Sequence, residues 1–124
     1  MASELNINGT EDSPTISFNK TNGLFSITGR SLPEDAFNFY QPVFEYLNNY
    51  FNSPAAETIF TFGFEYFNTS SAKQIFKIVN ILNEQSKKNK ISVIWRYDAG
   101  DNDMLGSGDR FSKLAGIPIK LIEN

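Results

Sequence analysis

The chain contains no cysteine and no histidine. The first absence excludes disulfides, thiol nucleophiles and cysteine-ligated metals. The second removes the Ser-His-Asp triad, the usual general base near neutral pH and the imidazole ligands of most zinc sites. An excess of positive charge is missing too. Eleven lysines and arginines face 14 aspartates and glutamates, a net charge of −3, so a phosphate backbone is not an expected partner. No apolar run approaches the roughly 20 residues that span a bilayer. The opening MASELNINGTEDSP has neither the basic nor the apolar stretch of a signal peptide. The expectation is a soluble, cytoplasmic protein that engages neither membrane nor nucleic acid. The Asn-x-Ser/Thr triplets at Asn8, Asn19 and Asn68 then read as chance matches in an asparagine-rich chain.

What the chain does have is aromatic rings: 12 Phe, 5 Tyr and one Trp in 124 residues. That length suits one domain, residues 1–124, with a core that needs no staples. Residues 1–13 are polar and read as loose, with the alternation of Leu5 and Ile7 marking a short edge strand. Two β-prone runs, 15–18 and 24–28, flank Asn22-Gly23 and predict an antiparallel hairpin. Ser31 and Glu34 have capping-box spacing, which predicts a helix opening at Ser31. Phe37, Tyr40, Phe44, Leu47 and Phe51 form one apolar stripe of that helix. Phe39, Val43, Tyr46 and Tyr50 form a second, which leaves Tyr46 and Tyr50 partly exposed for a partner. Pro42 should kink or split the helix.

Residues 58–67, rich in β-branched and aromatic side chains, predict a strand. Asn68-Thr69-Ser70-Ser71 then offers capping groups, and Ala72, Ile75, Phe76, Val79 and Leu82 follow at helical spacing. Residues 91–97 predict a strand with apolar side chains on both faces, hence a doubly covered one. Residues 98–109, with four aspartates and three glycines, read as a polar loop, 111–115 as a short helix and 117–122 as a last strand. Pro118 favours a sheet edge for that last strand. The resulting order, β-β-α-β-α-β-α-β, predicts a single α/β sandwich with a mixed sheet.

Two segments can carry chemistry. Asn68-Thr69-Ser70-Ser71-Ala72-Lys73 places three hydroxyls at a strand-to-helix junction. The ordinary reading is an N-cap. The functional reading adds phosphorylation, since a phosphate there would meet helix amides and the positive dipole end with Lys73 one turn on. The acidic stretch Asp98, Asp101, Asp103 and Asp109 reads as a solvated loop, a divalent-cation site without EF-hand spacing, or a docking patch for a basic partner. No acid–base pair of carboxylates stands out, so neither a catalytic residue nor a metal ligand nor a cofactor is assigned.

Several pieces in order resemble the SiaC family of bacterial regulatory phosphoproteins. They are Gly29-Arg-Ser-Leu-Pro-Glu34 with Phe39-Tyr40 and Pro42, and Tyr66-Phe-Asn-Thr-Ser-Ser71 with Lys73. Trp95-Arg-Tyr97-Asp98, Asp101-Asn-Asp103-Met104 and Gly108-Asp109 with Phe111 complete the series. The resemblance runs from about Gly9 to Ile122 and departs after Asp103-Met104, where the family usually has glutamates and this chain has Leu-Gly-Ser-Gly. It implies a STAS-like fold, similar to anti-sigma-factor antagonists. It also implies partner switching: a protein kinase modifies the protein, a metal-dependent Ser/Thr phosphatase reverses this, and the unmodified form binds a target such as a diguanylate cyclase. The family's acceptor threonine falls on Thr69, with Ser70 and Ser71 as neighbouring alternatives. Phosphorylation is expected to block an interface formed by Asn68, Thr69, Ser70 and Lys73, rimmed by Asp101 and Asp103, and not to refold the domain. Two other classes compete: a Mg²⁺-dependent hydrolase built on the Asp98–Asp109 stretch, and a nucleotide or other small-ligand binder.

Overall fold

The computed structural model describes residues 4–124, so the start of the segment read as loose lies outside the described residues. Six strands and three helices follow in the order β1 (Glu4–Ile7), β2 (Thr15–Asn19), β3 (Leu24–Ser31), α1 (Ala36–Tyr50), β4 (Thr58–Phe67), α2 (Thr69–Ser86), β5 (Ile91–Tyr97), α3 (Asn102–Ala115) and β6 (Lys120–Glu123). The strands lie in one mixed sheet in sequence order, β1 to β6. β1, β2 and β3 are antiparallel neighbours, whereas β3 through β6 are parallel. The expected hairpin is present, with Gly23 at a φ of +73° closing its turn. The Leu5–Ile7 alternation does form an edge strand. The last strand starts later than its apolar run, leaving Pro118 ahead of the edge it was expected to mark.

Monotonic strand order has a consequence for the layers. Strand–helix–strand crossovers are right-handed, so three crossovers that step the same way across a sheet put their helices on the same face. Ile16, Phe18, Phe25, Ile27, Phe60, Phe62, Val93 and Trp95 come into register on that face and are buried. Their alternates, including Ser17, Ser26, Thr61 and Ile94, are half-buried or exposed. The expectation that β5 is covered on both sides is therefore corrected. Ile94 lies beside Thr61 on a face without helices; its apolar character comes from partial burial between neighbouring strands.

The aromatic excess is the core. Ring pairs step across the sheet from Phe18 to Phe25 (4.9 Å), Phe25 to Phe60 (5.8 Å), Phe60 to Phe62 (4.8 Å) and Phe62 to Trp95 (5.4 Å), then up to Phe111 on α3 (5.6 Å). α1 closes this layer with Tyr40, Val43, Leu47 and Tyr50, a stripe drawn from both sequence stripes. Tyr50, expected to be available to a partner, is instead buried and hydrogen-bonded to Thr58 at 2.6 Å. Tyr46 is half-buried, and its hydroxyl accepts from the Lys20 amide at 3.0 Å. Phe37 stands 55% exposed. Pro42 neither splits nor ends α1, because it sits on the exposed side while the buried stripe anchors the turns before and after it.

The acidic loop is the largest departure from expectation. Residues 102–115 are helix throughout, not loop followed by a short helix. Gly106 and Gly108 lowered the helical signal, but at Gly108 the reason is contact: a Cβ there would come within 2.6 Å of Trp95 Cδ1. The glycine lets α3 lie directly on the indole, whose Nε1 donates to the Met104 carbonyl at 3.0 Å. Gly108→Ala should lower stability by roughly 1–3 kcal/mol through overpacking. Gly106→Ala has open space around its new methyl and should raise stability by roughly 0.5–1 kcal/mol. Urea denaturation of the two variants checks the pair; equal effects would refute the contact explanation.

Candidate functional site

Parallel strands β3, β4 and β5 end at one edge of the sheet, and the starts of α2 and α3 lie directly beyond β4 and β5. Loops and helix starts at such an edge are where α/β folds place their binding groups. Asn68 caps α2: its side-chain oxygen accepts from the Ser71 amide at 2.9 Å. Its own amide donates to the Ser31 carbonyl at 3.1 Å, prolonging the β3–β4 pairing by one bond. The cap expected from the sequence is thus in place.

The three hydroxyls that follow are not equivalent. Thr69 and Ser70 are exposed, whereas Ser71 is 0% exposed and is held by Ser31 Oγ at 2.8 Å. The first two are open to solvent as they stand; Ser71 would have to leave the core to become so. Lys73, one turn on from Thr69, is exposed.

Ser31 does not cap α1. It closes β3 fully buried, and the cap is Asp35, whose carboxylate accepts from the Asn38 amide at 3.2 Å. The serine hydroxyl joins three elements. It donates to Ser71 Oγ and contacts the Tyr40 hydroxyl at 2.6 Å. With the serine's single proton directed at Ser71, Tyr40 is the donor of that shorter bond. Burial pushes the Tyr40 hydroxyl up to about 12, and the bond to Ser31 offsets only part of that. Neither residue was legible as part of the site. Ser31 had the spacing of a capping box and Tyr40 the spacing of a core stripe, and nothing local points one at the other.

Asp101 and Asp103 lie at the neighbouring helix start. Asp101 is the α3 cap, accepting from the Met104 amide at 3.0 Å, and Asp103 is exposed in the first turn. Both line a 320 Å³ cleft together with Glu65, Tyr66, Phe67 and Met104. The cleft reaches the end of β4, two residues before Thr69, so the two predicted groups do occupy one edge. Tyr66 is 48% exposed there, with the Arg30 guanidinium 5.9 Å from its ring centre. Of the other acidic residues, Asp98 accepts from the Asn124 side chain and Asp109 pairs with Lys113 at 2.9 Å. Among the described residues, no three carboxylates are grouped to hold a metal ion, and no helix is long and apolar enough to cross a membrane.

A family model described as SiaC family regulatory phosphoprotein matches residues 7–124. An uncharacterised protein of Pseudomonas aeruginosa is 24% identical over 120 residues, which is 96% of this chain and 95% of that one. The solved structure of SiaC of Pseudomonas aeruginosa superposes with a TM-score of 0.89 at 23% identity, over 99% of this chain and 100% of that chain. The crystal structure of the diguanylate cyclase SiaD in complex with its activator SiaC, from the same organism, gives 0.90 at 23% identity over 97% and 99%. These superpositions carry the fold.

The Tyr40 hydroxyl sets a testable alkaline limit. Burial holds its folded pKa above the ordinary value of 10, so the stability of the buried neutral hydroxyl is fully present below pH 10 and is lost as pH rises from 10 to 12. The loss over that window should reach about 3 kcal/mol at most. Tyr46 is also raised by burial and acts in the same direction. Chemical denaturation of wild type and Tyr40→Phe at pH 8 to 12 separates them, since Tyr46 is common to both. The wild type should lose more stability over the window, and identical profiles would show that Tyr40 does not titrate there.

Proposed function

The chain belongs to the SiaC family of regulatory phosphoproteins, and from that membership we propose that it is a non-enzymatic partner switch whose phosphoacceptor is Thr69. A protein kinase adds the phosphate and a metal-dependent Ser/Thr phosphatase removes it. The unmodified form binds a signalling enzyme, for which a diguanylate cyclase is the proposed identity, and the exchange takes place in the cytoplasm. The observation that carries the reading is the exposure of Thr69 in the first turn of α2, one residue past a cap that is already satisfied.

The position explains how a phosphate could change binding without unfolding the domain. Helix starts favour anions through their dipole and free amides, so the modified threonine is tolerated where it stands. The cost falls on the partner. Docking over Asn68, Thr69, Ser70 and Lys73, with Asp101 and Asp103 as the rim, would trap about two negative charges beside an acidic cleft. Burying such charge without a cationic mate costs several kcal/mol. That is a loss of affinity on the order of 100-fold or more.

The alternatives have less support. For a hydrolase, Asp101 is engaged as a helix cap and Asp109 as a lysine partner, and the acidic residues are spread along a helix. For a small-ligand binder, the cleft at the end of β4 is small, and none of its polar lining residues Glu65, Tyr66, Asp101, Asp103 and Ser107 is buried.

The test compares wild type, Thr69→Ala and Thr69→Glu against a diguanylate cyclase from the same genome. Thr69→Ala should bind and resist phosphorylation. Thr69→Glu should lose binding at least tenfold while keeping its melting temperature and circular dichroism. Phosphopeptide mapping after kinase treatment should place the label on Thr69. Label on Ser70 alone would move the acceptor, and equal binding by all three proteins would overturn the switch.

A further inference from the structure

Four polar side chains are buried among the described residues: Ser31, Thr58, Ser71 and Gln74. Two of them, Thr58 and Ser31, each bond a tyrosine of α1 at 2.6 Å, at opposite ends of the helix. Tyr50 ties the last turn of α1 to the start of β4. Tyr40 ties the earlier part to the end of β3, and there the chain of bonds does not stop. Ser31 holds the segment 68–71 at both ends: its carbonyl takes the Asn68 amide at 3.1 Å, and its hydroxyl donates to Ser71 Oγ at 2.8 Å. Between these two anchors lie only Thr69 and Ser70, both exposed. The first turn of α2 is thus a two-residue span clamped to one serine, and that serine is oriented by the Tyr40 hydroxyl.

We propose that Tyr40 is a positioning residue for the modification site: through Ser31 and Ser71 it fixes the first turn of α2 and so sets how Thr69 is presented to the enzymes that modify it. The proposal rests on Thr69 being the acceptor. The chemistry favours this role over simple core stability. A tyrosine hydroxyl donating to a serine that itself donates onward fixes the Ser31 rotor from both sides; without that donor Ser31 is held from one side only. The side-chain bond from β3 to the helix start is then weakened, while the aromatic packing of Tyr40 stays.

Tyr50 supplies the control, because Tyr50→Phe deletes a buried hydroxyl bond of the same length on the same helix but far from α2. Amide hydrogen exchange and steady-state phosphorylation are measured on wild type, Tyr40→Phe and Tyr50→Phe, using the kinase that labels the wild type. Both variants should show comparable falls in melting temperature. Only Tyr40→Phe should speed exchange at the amides of Ser71 and Ala72, which are bonded to Asn68, by about tenfold, the worth of one buried hydrogen bond. Only Tyr40→Phe should lower kcat/KM for phosphorylation, by severalfold. Should Tyr40→Phe fail to fold, Ser71→Ala removes the far end of the relay and carries the same expectation. Label on Thr69 in the wild type, with equal exchange and equal kcat/KM in the two tyrosine variants, would overturn the positioning role alone. Absence of label on Thr69 in the wild type would overturn the acceptor assignment and this role with it.

Discussion

Three crossovers of one hand, laid side by side from β3 to β6, decide where everything else in this molecule can lie. Because each steps to the next strand over, the helices share a face. The ends of β3, β4 and β5 then open at a common edge, with two helix starts standing next to each other. The aromatic layer follows from the same constraint. A single covered face must supply the whole core of a small domain, and large rings fill it with few residues. The uncovered face is left to serines, threonines and half-buried isoleucines.

Features that depend on near neighbours in the chain were legible in the sequence. The strand at 58–67, the cap at Asn68 and the apolar spacing of α2 all lie where local pattern puts them. The Tyr-Phe-Asn-Thr-Ser-Ser stretch does lie at a strand-to-helix junction, and the parallel pairing of β4 and β5 puts Asp101 and Asp103 at the same edge. What escaped was decided by contacts distant in sequence. Gly108 reads as a loop residue until Trp95 is placed against it. Ser31 reads as a helix cap until Ser71 and Tyr40 claim its hydroxyl, which leaves capping to Asp35. Ile94 suggested a second covered face because partial burial between strands calls for an apolar side chain as well.

The missing residue types bear on how such a protein can be controlled. Histidine and cysteine are the side chains whose charge is most readily adjusted near neutral pH, and this chain has neither. Its surface charge is therefore nearly constant under ordinary conditions. The proposed phosphate would supply the change that its own side chains do not, and on a chain of net charge −3 an increment of about −2 is large. The reading of the α2 start as a modification site and the composition of the chain agree on this point.

Trp95 lies beneath that edge, wholly buried among Phe62, Phe64, Phe67 and Phe111, with its indole nitrogen bonded to the Met104 carbonyl. It is the single tryptophan of the chain, and no imidazole or thiol is available to quench it. The protein therefore carries its own optical reporter, unmixed with any other indole. Its emission belongs to the one place where α3 rests on β5. Any event that lifts that helix, or lets water reach the ring, will be read as a red shift without a dye, a tag or a second label.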